Sequence, residues 1–127
     1  MYLLDTNVLS ELRKVGAGRA DTKVMQWFKP VALNQCWISV ITVMELELGI
    51  LRVERHDVEQ GKRLRAWMNQ QVLTAFTGRT LDVTPAIALA CARLHVPDPR
   101  SERDALIAAT ALSHGLEVVT RNTADFK

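Results

Sequence analysis

Five polar residues of this chain, Asp5, Glu45, Asp104, Asn122 and Asp125, each fall just after a segment of strand character or near the start of one of helical character. In a chain that alternates strands with helices, strand ends and helix starts gather at one edge of a parallel sheet. Carboxylates collected there repel one another and raise each other's pKa, so the cluster calls for a hard cation with oxygen ligands. Mg²⁺ or Mn²⁺ held in this way supports hydrolysis of a phosphodiester, by activating water and stabilising the charge that develops on phosphorus.

Each of these residues also has a local reading. Asp5, after an apolar run and before Thr6 and Asn7, serves equally well as a helix N-cap. Thr42-x-x-Glu45 is a capping box, in which the glutamate bonds back to the Thr42 amide. Asp104 stands three residues after Ser101 in the same pattern, and Asn122 and Asp125 are ordinary turn residues of a polar loop. Capping does not account for the convergence. Several helix starts share one sheet edge, so caps and a cation site are compatible.

The remaining reactive side chains carry less. His56, His95 and His114 lack the close spacing of a zinc site and read as structural. Cys36 and Cys91 sit in apolar settings and read as reduced core thiols, which points to the cytoplasm. Arg52, Arg55, Lys62, Arg63 and Arg65 are interleaved with Glu54, Asp57 and Glu59, the pattern of a solvated helix face rather than a phosphate track. Arg103 and Arg121, each beside a proposed site residue, are better placed to meet substrate phosphate. Trp27 and Trp67 recur at helical spacing with apolar residues and read as core or interface.

The elements that must position the acids follow from periodicity and caps. Apolar runs predict strands over 2–4, 36–41, 79–83 and 116–120. A short helix presents Val8, Leu9 and Leu12 on one face and ends near Gly16 and Gly18. A second, capped by Asp21, carries Val24, Trp27 and Phe28 and closes at Pro30. Thr42 opens a third helix to about 53, and Asp57 a longer fourth one to 76 with Leu64, Trp67, Met68 and Gln71 inward, before Gly78 breaks the pattern. Thr84 as N-cap with Pro85 at the first position starts a fifth helix that ends near His95. Pro97 and Pro99 make a loop, Ser101 opens a sixth helix, and His114 with Gly115 ends it. The order predicts an α/β fold with a central parallel sheet of about four strands flanked by helices, joined by right-handed crossovers.

The 127 residues suit a single domain, 1–127, and 48% hydrophobic content is enough for one core. A balance of 16 basic against 14 acidic residues leaves a net charge of +2, so any nucleic-acid-binding surface has to be local. The chain opens without the basic start of a secretory signal. Its longest apolar stretches, such as 38–44, are broken by Ser39 and Thr42 and fall short of the roughly 20 residues that span a bilayer. No membrane partner is expected.

Four segments taken together resemble a known family. They are Leu3-Leu4-Asp5-Thr6-Asn7-Val8-Leu9-Ser10, then Ser39-Val40-Ile41-Thr42-Val43-Met44-Glu45-Leu46 with Gly49, then Asp104-Ala105-Leu106-Ile107-Ala108-Ala109-Thr110-Ala111, and Val119-Thr120-Arg121-Asn122-Thr123-Ala124-Asp125-Phe126. In order and spacing the chain resembles PIN-domain toxin ribonucleases of the VapC type, particularly their FitB-like branch. The resemblance implies a three-layer PIN-like fold and a metal-dependent endoribonuclease that is the toxin of a type II toxin–antitoxin pair. It implies that Asp5, Glu45 and Asp104 hold Mg²⁺ or Mn²⁺ and position the attacking water. Many members carry an acid where this chain has Asn122, so Asn122 is expected as a neutral ligand or support, with Asp125 supplying charge nearby. Thr6 and Asn7 are expected to orient Asp5, and Thr120 to hydrogen-bond an acid or the water on the metal.

The same resemblance implies a homodimer held inactive by a small VapB-like antitoxin, with operator DNA bound chiefly through the antitoxin and RNA as substrate. The apolar faces carrying Leu12, Leu46, Ile50 and Leu51 are where the antitoxin groove and the dimer contact are expected. Members usually continue into a further short strand after the Asp-Phe pair, whereas this sequence stops at Lys127. Two rival readings remain. A phosphatase with an aspartyl nucleophile wants a second acid two residues after Asp5, where this chain has Asn7. A non-catalytic PIN fold that only binds antitoxin or nucleic acid is the stronger rival, and metal affinity separates it from the nuclease.

Overall fold

The computed structural model describes residues 1–13 and 33–120. The expected helix around Val24, Trp27 and Phe28, the turn at Gly16 and Gly18, and Arg121, Asn122 and Asp125 lie outside the described residues.

Strand β1 (Tyr2–Leu4) leads directly into helix α1 (Thr6–Arg13). A short 3₁₀ turn, Leu33–Gln35, precedes β2 (Cys36–Ser39), which runs into α2 (Val40–Glu54). Helix α3 (Val58–Trp67) continues through a π turn, Met68–Val72, and a last α turn, Leu73–Ala75. Then come β3 (Thr80–Leu81), α4 (Pro85–Leu94), α5 (Glu102–His114) and β4 (Glu117–Val119).

The four strands form one parallel sheet in the order β3-β2-β1-β4, with Leu3 opposite Trp37 and Val118, and Ile38 opposite Thr80. This is the expected architecture. Parallel pairing forces every crossover to return the chain to the same edge, so the carboxyl ends of all four strands point one way.

Side-chain alternation splits the core into layers. Leu4, Cys36 and Ile38 face Val8, Leu9, Leu46, Ile50, Met68, Val72 and Phe76 from α1, α2 and the α3 segment. Leu3, one residue out of phase, packs with Ile107 and Ala111 of α5, and Trp37 and Val118 lean on that side. Ile87 and Cys91 of α4 meet Ala105 and Ala109 of α5 in a third cluster, where alanines let the two helices approach closely. Leu46 and Ile50 are therefore core residues, whereas Leu51 and Met44 remain exposed on α2. Among the described residues no helix is long and apolar enough to cross a membrane.

Three local departures from expectation have physical causes. The second strand stops at Ser39, whose hydroxyl accepts from the Ile41 amide, so α2 begins at Val40 rather than Thr42. A π turn between Met68 and Val72, closed by the Leu73 amide on the Met68 carbonyl, adds a residue to that turn. It rotates the inward face from Gln71, which is exposed, to Val72, which is buried. The third strand is only two residues long: the Arg79 carbonyl takes the Ile38 amide, but the Arg79 amide is still held by the Phe76 carbonyl of the preceding turn, so the strand proper begins at Thr80.

The other caps form where the residue types place them. Asp57 accepts from the Gln60 amide, and Thr84 accepts from the Ile87 amide with Pro85 at the first helical position. Gly115 ends α5 at φ +65, a conformation that favours glycine.

Candidate active site

Asp5 is the first residue past β1, and its amide still bonds to the Val119 carbonyl at 3.0 Å. Its carboxylate accepts the Val8 amide at 2.8 Å, so it does cap α1. That role does not remove it from the site. Asp5 is 6% exposed, and burial pushes its carboxyl above the ordinary value. A hydrogen bond from Thr120 and the Val8 amide pull the other way, and the negative charges of Asp104 and Glu45 push it up further. Those last two contributions show that the three acids share one electrostatic neighbourhood although 40 and 59 residues separate them in sequence.

Glu45 reaches this place by a route other than capping. With Ser39 as the N-cap of α2, Glu45 lies in the second turn, too far along to close a capping box with Thr42. Thr42 is fully buried instead, its hydroxyl 3.2 Å from that of Thr6. Thr6 Oγ1 donates to Glu45 Oε1 at 2.6 Å. A hydroxyl has one hydrogen to donate and a carboxylate only accepts, so Glu45 accepts the hydrogen bond from Thr6 and Thr42 donates to Thr6 in turn. Thr6 thus orients Glu45, not its neighbour Asp5, and the exposed Asn7 side chain makes no hydrogen bond among the described residues.

Asp104 sits in the first turn of α5, with Glu102, where negative charge suits the helix N-terminus. Ser101, the N-cap, makes no side-chain capping bond, so the second expected capping box does not form either. Because β4 must restart from the amino edge of the sheet, α5 has to begin near the carboxyl edge, which is what carries Asp104 to Asp5. Its neighbour Arg103 places Nη1 3.8 Å from Glu45 Oε2.

These donors suit a hard divalent cation: they are all carboxylate oxygens, one is buried, and the other two oppose the ionisation of that buried one. Among the described residues no three acid, cysteine or histidine side chains converge closely enough to grip an ion by themselves. Glu45 has one oxygen on Thr6 and the other towards Arg103.

A PIN-domain family model matches residues 2–127. The chain belongs to the PIN-domain family. Within it, the chain is 35% identical to the VapC ribonuclease Y4jK of Sinorhizobium fredii, across 100% of this chain and 91% of that protein. It is 33% identical to toxin FitB of Neisseria gonorrhoeae over 99% of this chain and 91% of that one. The fold superimposes with a TM-score of 0.87 on a solved structure of FitAB bound to an IR36 DNA fragment, at 31% identity, covering 99% of this chain and 88% of that one. The chain is thus a PIN domain of the VapC and FitB branch.

The histidines stay apart from this site. His95 accepts the Arg100 amide on Nδ1 at 3.0 Å, and its Nε2 lies 3.9 Å from the buried Cys91 Sγ, holding the loop that leads to α5. Of the expected cationic face, Arg65 pairs with Glu47 and Glu54, and Lys62 with Glu59. Two supporting features escaped the sequence reading, Ser39 as the cap and Thr42 behind Thr6. The signal for the first was present, since Ser followed by an apolar run is also a helix start.

Proposed function

We propose that this protein is a metal-dependent endoribonuclease, the toxin of a type II toxin–antitoxin pair, that hydrolyses phosphodiester bonds in RNA. The observation that carries the reading is the shared electrostatic neighbourhood of Asp5, Glu45 and Asp104, brought from three separate elements to one sheet edge. Those carboxylates would hold Mg²⁺ or Mn²⁺, with Asp125 and Asn122 the further candidates from the chain after β4. When bound, the cation supplies activated water and charge stabilisation at phosphorus. Thr6 keeps Glu45 oriented, and Thr120 does the same for Asp5. The buried setting of Asp5 keeps competing solvent off one side of the site.

The partners follow the same reading. A small VapB-like antitoxin would cover the site, a second copy would complete a homodimer, and operator DNA would be met through the antitoxin, as the DNA-bound FitAB structure suggests by analogy. Leu51 and Met44 of α2 are among the exposed apolar side chains of the described residues that could make such contacts.

The test is cleavage of a mixed RNA pool by antitoxin-free protein with Mn²⁺ or Mg²⁺, beside Asp5→Ala and a chelator control. Cleavage lost in both controls supports the nuclease. Intact RNA with folded wild type in either metal favours a non-catalytic PIN fold, the reading that the loose spacing of the described acids would suit.

A further inference from the structure

Glu45 has both carboxylate oxygens engaged by the chain itself. Oε1 takes the Thr6 hydroxyl, and Oε2 faces Arg103 Nη1 at 3.8 Å. Arg103 immediately precedes Asp104 in the first turn of α5, so one helix start carries an acid of the site and the guanidinium that approaches another. Electrostatics explains why a cation belongs there. Asp5 feels the charges of both Glu45 and Asp104, and carboxylates so placed need a counter-charge.

We propose that Arg103 has two positions: it neutralises Glu45 while the carboxylate site lacks its divalent cation, and it is released to a phosphate of the RNA when the cation takes Glu45. This inference rests on the nuclease reading of the same site. The contact has the properties such an exchange needs. At 3.8 Å it is longer than a hydrogen bond, and the Arg103 side chain is 46% exposed, so the pair is weak and easily displaced. The Glu45 side chain is 22% exposed and stays oriented through Thr6 when Arg103 leaves. Among the described residues Glu45 is the one ion-pair partner of Arg103. Once free, its planar fork suits a phosphate, and its place beside Asp104 puts it at the mouth of the site. The same side chain therefore couples cation uptake to substrate binding.

Two measurements on the intact protein test this. In the absence of RNA, Mn²⁺ titrated into Arg103→Gln is expected to bind about two- to fivefold more tightly than into wild type, with Arg103→Lys between them. RNA affinity is then followed against salt, using a single-stranded oligonucleotide that stays intact, once in chelator and once in Ca²⁺. In Ca²⁺ the Gln variant is expected to lose about 0.7 from the slope of log K against log salt, one phosphate contact, whereas in chelator the two slopes coincide. Equal Mn²⁺ affinities, or a slope difference that is the same with and without cation, overturn the exchange while leaving the nuclease standing. A wild type that takes up no Mn²⁺ removes the nuclease reading, and this inference with it.

Discussion

Thr6 Oγ1 donates to Glu45 Oε1 at 2.6 Å across 39 residues of sequence, joining the first residue of α1 to the second turn of α2. The Thr42 hydroxyl backs this contact from a fully buried position. A hydroxyl that touches an acid but not the substrate acts by fixing that acid, and such contacts typically change metal affinity or activity by 10–100-fold, about. Thr6→Val is therefore expected to lower RNA cleavage and Mn²⁺ affinity by about 10-fold or more, with a stability cost of about 1–3 kcal/mol because the buried Thr42 hydroxyl loses this partner. Thr6→Ser restores both. Parallel calorimetry and cleavage assays check this, and an unchanged Thr6→Val protein would remove the positioning role.

The carboxylates themselves should matter more. Asp5→Ala, Glu45→Gln and Asp104→Asn are each expected to reduce cleavage by at least about 100-fold, as does chelation, while each variant stays folded by circular dichroism. Retained activity in all three would place the chemistry elsewhere.

Asp5 also ties stability to pH. Its folded pKa is raised above 3.8, chiefly by burial, so the folded state binds a proton more readily than the unfolded chain. For an acid shifted upward, the stabilising contribution is full below 3.8 and is lost as pH rises through the folded pKa. Ionised Asp5 thus weakens the metal-free protein at neutral pH. Asp5→Asn keeps an acceptor for the Val8 amide and is expected to raise the melting temperature of the metal-free protein at pH 7, with the gain shrinking towards pH 3.8. Melting curves across that range decide it; a destabilised Asp5→Asn protein at pH 7 contradicts the sign.

The α2–α3 hairpin depends on Gly61. A Cβ built there lies 2.6 Å from Glu54 Cγ and 3.1 Å from Glu54 Cα, so the backbone of α2 as well as its side chain would have to give. Gly61→Ala is expected to cost about 1–3 kcal/mol in denaturant unfolding. Glu54 also pairs with Arg65 across the same hairpin, at 3.0 Å. The double variant with Glu54→Ala should recover part of the Gly61→Ala loss, because the closest contact, that with Glu54 Cγ, is then gone.

Much of this protein was legible in its residues. The period of the apolar runs, the caps at Asp57 and Thr84, Pro85 and the glycine after His114 determine the alternation of strands and helices, and alternation implies a parallel sheet. Asp5, Glu45 and Asp104 were legible as candidates because their types and their places beside strand ends suit a cation. Local chemistry reads well wherever a contact spans a few residues, as a cap does.

What residues alone left open was decided by contacts between distant segments. Two serviceable capping boxes compete for Glu45 and Asp104 in the sequence, and neither forms: Ser39 starts α2 early, Thr42 sinks into the core to meet Thr6, and Ser101 caps nothing. The inward turn from Gln71 to Val72 follows from packing the α3 segment against Leu46 and Ile50, which favours a π turn over an unbroken helix. Only the folded chain sets Arg103 against Glu45, because that pairing exists when the start of α5 is laid beside α2. Periodicity and capping are properties of neighbouring residues, whereas the partner of a carboxylate is chosen by which elements the sheet brings together.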